Sequence, residues 1–294
     1  MCQETLLRHN RICPRCVNDL SRVSHLIHRG PVDPNSAQIL FQYILWILLP
    51  IFAAVGAIYV KTTNIILLFL FALIGAAVLS IASRRSMTIN YPLAIVAISL
   101  SLLLHSSLFT SRLFGFDIHL EYHVFRLTES LSRWTPNLEL MGRMTDADTL
   151  NYYSMLSITI LPTFFSAILG ISNEMIFKII YPIVFSIATL GIFKIYQRLV
   201  ERKAAFLSVF FFVSRFTYFS EMIAISRQMI AEFFLVLSLF LLLNDRIDRL
   251  KRTILIIIFS VALVTSHYGL SYLYVVYLGG YWMSLIAARS KIRN

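Results

Sequence analysis

Runs of apolar residues long enough to cross a bilayer recur along this chain, and they limit it to very few architectures. They fall at about 39–60, 64–83, 91–110, 154–170, 175–197, 204–220 and 228–244, and a last stretch runs from 253 to 288. A helix rises about 1.5 Å per residue, so roughly 20 residues cover about 30 Å of hydrocarbon. In lipid the backbone must satisfy its own hydrogen bonds, which leaves helices or closed barrels. Runs of this length without period-two alternation predict helices. The expected fold is therefore all-α: a polytopic transmembrane helical bundle of about eight apolar segments.

Composition agrees. The chain is 58% hydrophobic and 14% charged, against about 45–50% and about 25% in soluble domains. Its mean hydropathy is +0.74. The formal net charge is +11. Because the basic residues sit between apolar runs, they read as orientation signals and contacts with the lipid bilayer, not as a nucleic-acid surface. No cleavable signal peptide is expected, since more than 30 basic and polar residues precede the first run.

Four regions follow. Residues 1–36 read as a basic cytoplasmic tail and 37–110 as three transmembrane helices. Residues 111–153 read as a large external polar loop, and 154–294 as further transmembrane or re-entrant helices. The tail holds all three cysteines, Cys2, Cys13 and Cys16. Cys13 and Cys16 with His25 and His28 give a CxxC followed by HxxH, a weak zinc pattern.

Basic clusters set the expected orientation. Five tail arginines with Arg84 and Arg85 favour a cytoplasmic tail, which puts 111–153 outside. The later clusters at Arg198/Arg202/Lys203, Arg246/Arg249/Lys251/Arg252 and Arg289/Lys291/Arg293 also favour the cytoplasm. Simple alternation forbids this unless one segment does not cross. The segment 154–170, short and carrying Pro162, is the candidate. Within 253–288 the sequence Thr265-Ser266-His267-Tyr268-Gly269 predicts a break.

Six of the 15 acidic residues lie in the polar loop: Asp117, Glu121, Glu129, Glu139, Asp146 and Asp148. Residues 118–134 carry a helical apolar stripe of Leu120, Val124, Leu127, Leu131 and Trp134, predicting an amphipathic interfacial helix closed by Pro136. His119, His123, Arg126, Ser130 and Arg133 form the parallel polar stripe. Asp117 and Glu121, four apart, complement the helix dipole. Together with His119 and His123 they could also deprotonate a hydroxyl or hold a divalent ion such as Mg or Mn. Arg227, Gln228 and Glu232 at the start of a later run, and His267 and Tyr268 in the break, are the remaining candidates for substrate contact. His105, Lys178 and Arg215 read as packing or snorkelling residues.

Several of these residues carry a resemblance. They are Gly115-Phe116-Asp117-Ile118-His119-Leu120-Glu121-Tyr122, Ser157-Ile158 with Pro162, Phe177-Lys178-Ile179-Ile180-Tyr181-Pro182, Arg227-Gln228 with Ala231-Glu232, and Ser266-His267-Tyr268-Gly269. Over roughly 36–294 the chain resembles an uncharacterised family of archaeal polytopic membrane proteins, whose members are typically longer. More distantly it is similar to the GT-C class of membrane glycosyltransferases, which move sugar from a polyprenyl-phosphate carrier. That resemblance implies Asp117 as the catalytic or metal-binding acid, Glu121 as second acid and Arg227 as the group neutralising the carrier phosphate. It departs from GT-C in having three runs ahead of the acidic loop. The competing expectations are a transporter or flippase of a lipid-linked or anionic substrate, and a truncated membrane protein without catalysis.

Overall fold

The structure is a computed structural model, and it describes residues 34–59, 65–83, 89–134 and 151–293. Among these residues every regular element is helical. The chain divides into Met1–Gln42 and Tyr43–Asn294. The described part of the first unit is the opening of helix α1.

The helices are α1 (Pro34–Tyr59), α2 (Ile65–Ser83), α3 (Tyr91–Leu108), α4 (Asp117–Leu131), α5 (Ile160–Leu169), α6 (Asn173–Tyr196), α7 (Arg202–Val213), α8 (Ser226–Leu242), α9 (Arg249–Val264) and α10 (Tyr268–Arg293). Local chemistry sets several ends. The Asn90 side chain accepts from Leu93 N–H at the start of α3, and Asp248 accepts from Leu250 and Lys251 N–H at the start of α9. α5 stops at Gly170 in the left-handed conformation (φ 60°).

α6 carries its own irregularity. Pro182 has no N–H and its ring crowds the carbonyl four residues back. The helix opens into a π turn over Ile176–Ile180 just ahead of it. The freed Lys178 carbonyl accepts the Ser107 hydroxyl of α3 at 2.8 Å, and Lys178 Nζ donates to the Thr110 carbonyl at 2.7 Å. The proline's backbone defect thus becomes a tie between α6 and α3.

The core lies among α3, α6, α7 and α8. Ile95, Ile98 and Leu103 meet Phe177, Tyr181 and Phe185, with Phe206, Val209, Met229 and Ile230 closing the cluster. Phe177 and Tyr181 stack at 5.2 Å, one turn apart.

Among the described residues four helices are long and apolar enough to cross a membrane: Leu40–Tyr59, Tyr91–Leu108, Asn173–Tyr196 and Tyr268–Ala288. A fifth arises if α7 and the irregular turn Thr217–Ala224, bent by 59°, count as one span. The expected eight apolar segments are thereby corrected. α5 has 10 residues, about 15 Å of helix, which is half a bilayer. α8 and α9 have 17 and 16 residues and carry charge within them: Arg227 and Glu232, and Arg249, Lys251 and Arg252. The run 253–288 does break as its sequence suggests, between Val264 and Tyr268.

Candidate functional site

α4 forms where the amphipathic pattern predicts, but its buried face is rotated from the expected stripe. Ile118, Glu121, Val124, Phe125 and Thr128 are the buried residues. Leu120, Leu127, Leu131 and Trp134 are only half-buried. The helix also ends earlier than expected, at Ser132 with φ 52°. Glu121, counted as polar, points into the protein and is 0% exposed.

Its partner is Arg227, the second residue of α8 and 4% exposed. Arg227 Nη1 donates to Glu121 Oε1 at 2.6 Å, and Nη2 donates to Asp117 Oδ2 at 2.8 Å. One guanidinium fork therefore spans two carboxylates set one turn apart on α4. The Ser226 N–H donates to Glu121 Oε2 at 2.8 Å. The second Glu121 oxygen thus satisfies an unpaired donor at the positive end of α8.

Two neighbours complete the cluster. Tyr152 OH donates to Asp117 Oδ2 at 3.1 Å, and its ring lies 4.2 Å from the Arg227 guanidinium carbon. His267, in the break between α9 and α10, stands close enough to feel the charges of Arg227 and Asp117. Its Nδ1 accepts from Leu270 N–H at 3.1 Å, so a neutral ring carries its proton on Nε2. Backbone ties register these parts: Leu156 N–H donates to the Thr265 carbonyl at 2.9 Å, and Ser157 Oγ to the Ser266 carbonyl at 3.2 Å.

Gly115 sets how closely α4 approaches α8. Its φ is +110°, and a Cβ there would land on the Ala224 side chain and within 3.0 Å of Ala224 Cα. Only glycine combines that backbone conformation with that contact.

Burial shapes the proton affinities. It pushes the Glu121 carboxyl up to about 7, with Arg227 and the Ser226 N–H pulling the other way. It raises Tyr152 to about 12. It lowers His267 to about 4, helped by Arg227 and opposed by Asp117.

The structure brings together Asp117, Glu121, Arg227 and His267. It leaves the other sequence candidates elsewhere. His119, His123 and Arg126 lie on the exposed face of α4, where Arg126 pairs with Glu129 at 2.6 Å. Glu232 bonds to Gln228 at 2.8 Å, not to Arg227 or the polar loop. Tyr268 is 52% exposed and stacks on His267. Tyr152 and Ser226 were not singled out from sequence, and Gly115 entered only as the first residue of a quoted motif. Gly115 had a signal, standing two residues ahead of an acid, but its necessity depends on Ala224, 109 positions away.

The divalent-metal expectation is corrected. Among the described residues no three His, Cys, Asp or Glu side chains group to hold a metal ion. At Asp117 and Glu121 the guanidinium of Arg227 occupies the position between the carboxylates and supplies their counter-charge. The zinc expectation at Cys13, Cys16, His25 and His28 falls outside the described residues. Neither ion has a described site.

No protein-family model, curated protein or solved structure matches the chain. The resemblances given above therefore rest on the quoted residues alone.

Proposed function

We propose that this is an integral membrane protein that transfers a sugar from a polyprenyl-phosphate carrier to an acceptor hydroxyl, with Asp117 as the base. The observation that carries the reading is the asymmetry of Asp117. Oδ2 is fixed by Arg227 and Tyr152, while the side chain stays 33% exposed, leaving Oδ1 to accept an acceptor proton. The acceptor oxygen attacks the anomeric carbon, the bond to the carrier phosphate breaks, and polyprenyl phosphate leaves. Both Nη groups of Arg227 are committed to carboxylates, so its part is to aim Asp117.

An apolar recess of about 220 Å³ beside the site supports a lipid carrier. Leu67, Phe109, Phe114, Phe216, Phe219 and Ile223 line it, and it shares the 109–114 loop that leads into Asp117. The test is transfer from a polyprenyl-phosphate sugar in purified protein. Asp117→Asn should abolish transfer and leave thermal unfolding within a few degrees of the wild type. Transfer retained by Asp117→Asn sinks the assignment.

A second reading is a structural latch, favoured by one observation: Glu121 is fully buried and both its oxygens are satisfied. Under that reading the wild type transfers no sugar, and removing Arg227 unfolds the protein.

A further inference from the structure

The far end of α8 carries a second constellation that the reading above does not use. α8 has 17 residues, so its ends stand about 25 Å apart. At its C-terminal end a cavity of about 820 Å³ opens between the end of α6, the start of α7 and the α8–α9 turn. Lys194, Arg198, Arg202 and Arg246 line it, with Glu201 and Asp245. Asp245 is already neutralised by Arg252 at 2.6 Å. Among the described residues none of the four lining cations forms an ion pair. Four cations thus share one cavity with a single unpaired carboxylate, Glu201.

The walls are built, not incidental. Asn244 is 8% exposed. Its Oδ1 accepts from the Arg246 N–H at 3.3 Å, and its carbonyl accepts from Arg252 Nη1 at 3.2 Å. These bonds fix the turn that presents Arg246. Arg198 lies over the Phe240 ring at 5.5 Å. α7 begins at the cavity without a side-chain cap, so its first N–H groups and its dipole add positive potential there. Like charges gathered without carboxylate partners repel each other, and an anion relieves that repulsion.

We infer that this cavity binds a phosphate-bearing anion, either the headgroup of an anionic lipid or a soluble phosphoester. Both present oxygens that guanidinium forks recognise, and basic pockets between membrane helices suit lipid headgroups. The volume admits a group larger than inorganic phosphate.

The experiment uses the full chain in neutral detergent and titration calorimetry with three probes. These are inorganic pyrophosphate, short-chain phosphatidylglycerol in mixed micelles, and short-chain phosphatidylcholine as reference. The expected result is binding of pyrophosphate or phosphatidylglycerol that weakens at least tenfold in the Arg198→Gln/Arg246→Gln double variant. It should be unchanged in Arg133→Gln, just past the end of α4. Binding of pyrophosphate identifies a soluble phosphoester as the source; binding of phosphatidylglycerol alone identifies a headgroup. Should the double variant fail to fold, Lys194→Gln/Arg202→Gln carries the same test. The proposal is overturned if neither anion binds more tightly than phosphatidylcholine, or if the cavity variants bind as the wild type does.

Discussion

Arg227 holds two acids that would otherwise repel, and its removal leaves the buried Glu121 carboxyl without its counter-charge. Stranding one partner of a buried pair costs about 3–5 kcal/mol, so Arg227→Ala should lower the unfolding midpoint strongly. Arg227→Lys should recover only part, because an ammonium cannot bridge two carboxylates as a fork does. Asp117→Asn, at a third-exposed position, should cost about 1 kcal/mol or less. Thermal unfolding in detergent separates the three. The same cluster predicts a pH response with two opposed parts. Glu121 has its folded pKa raised to about 7, so its contribution is fullest below about 4.5 and fades as pH rises through 7. His267 is lowered to about 4, so its contribution is lost as pH falls from about 6.5 through 4. Between pH 4.5 and 6.5 the two trends oppose. Glu121→Gln should therefore gain stability with rising pH, and His267→Asn should lose it. If both variants follow the wild-type curve, the protonation scheme is wrong.

Elements meet here through glycines at two contacts, and each allows a specific test. Gly115→Ala puts a methyl on Ala224 and strains a φ of +110°. It should cost about 1–3 kcal/mol. Because it shifts α4 against α8, it should also weaken the coupling between Asp117 and Arg227 in a double-mutant cycle. Gly191→Ala should destabilise as well, since its Cβ would land on Val236 across the α6–α8 contact, but it should leave that coupling intact. At this scale part of the fold was legible. The break at Thr265–His267 announces itself through consecutive small and polar residues, and the exposed stripe His119, His123, Arg126 through its spacing. The buried face of α4 was not legible. Periodicity counts Glu121 as polar, and what makes it a buried residue is an arginine 106 positions away.

The whole molecule has two ends, and the contacts sort the chain between them. Asp117, Tyr152, Arg227 and His267 gather at one. The other holds the turns after α6 and α8 around the basic cavity, and Lys203 of α7 reaches the Ala82 carbonyl of α2 there. The clusters at 198–203 and 244–246 therefore share an end, as the distribution of positive charge asks. A short α5 is what allows it: ten residues do not carry the chain across, so α6 starts at the end where α4 lies, with Asn173 bonded to Glu129 at 2.8 Å. The exterior of α10 suits lipid. Tyr272, Val275, Val276, Trp282 and Met283 of α10 are all more than 60% exposed, and a contiguous apolar face of that kind is not stable in water. If a bilayer covers it, the two ends lie on opposite sides, with the basic end cytoplasmic. Single cysteines, with Cys2, Cys13 and Cys16 changed to Ser, decide this. Exposed positions avoid disturbing the ion pairs: His119→Cys and Tyr268→Cys at one end, Arg198→Cys and Arg246→Cys at the other. The first two should react with an impermeant maleimide added outside intact cells, and the last two only after the membrane is opened. Labelling of all four from outside would place both ends on one side and leave the proposed sugar-transfer site and the anion cavity facing the same solution.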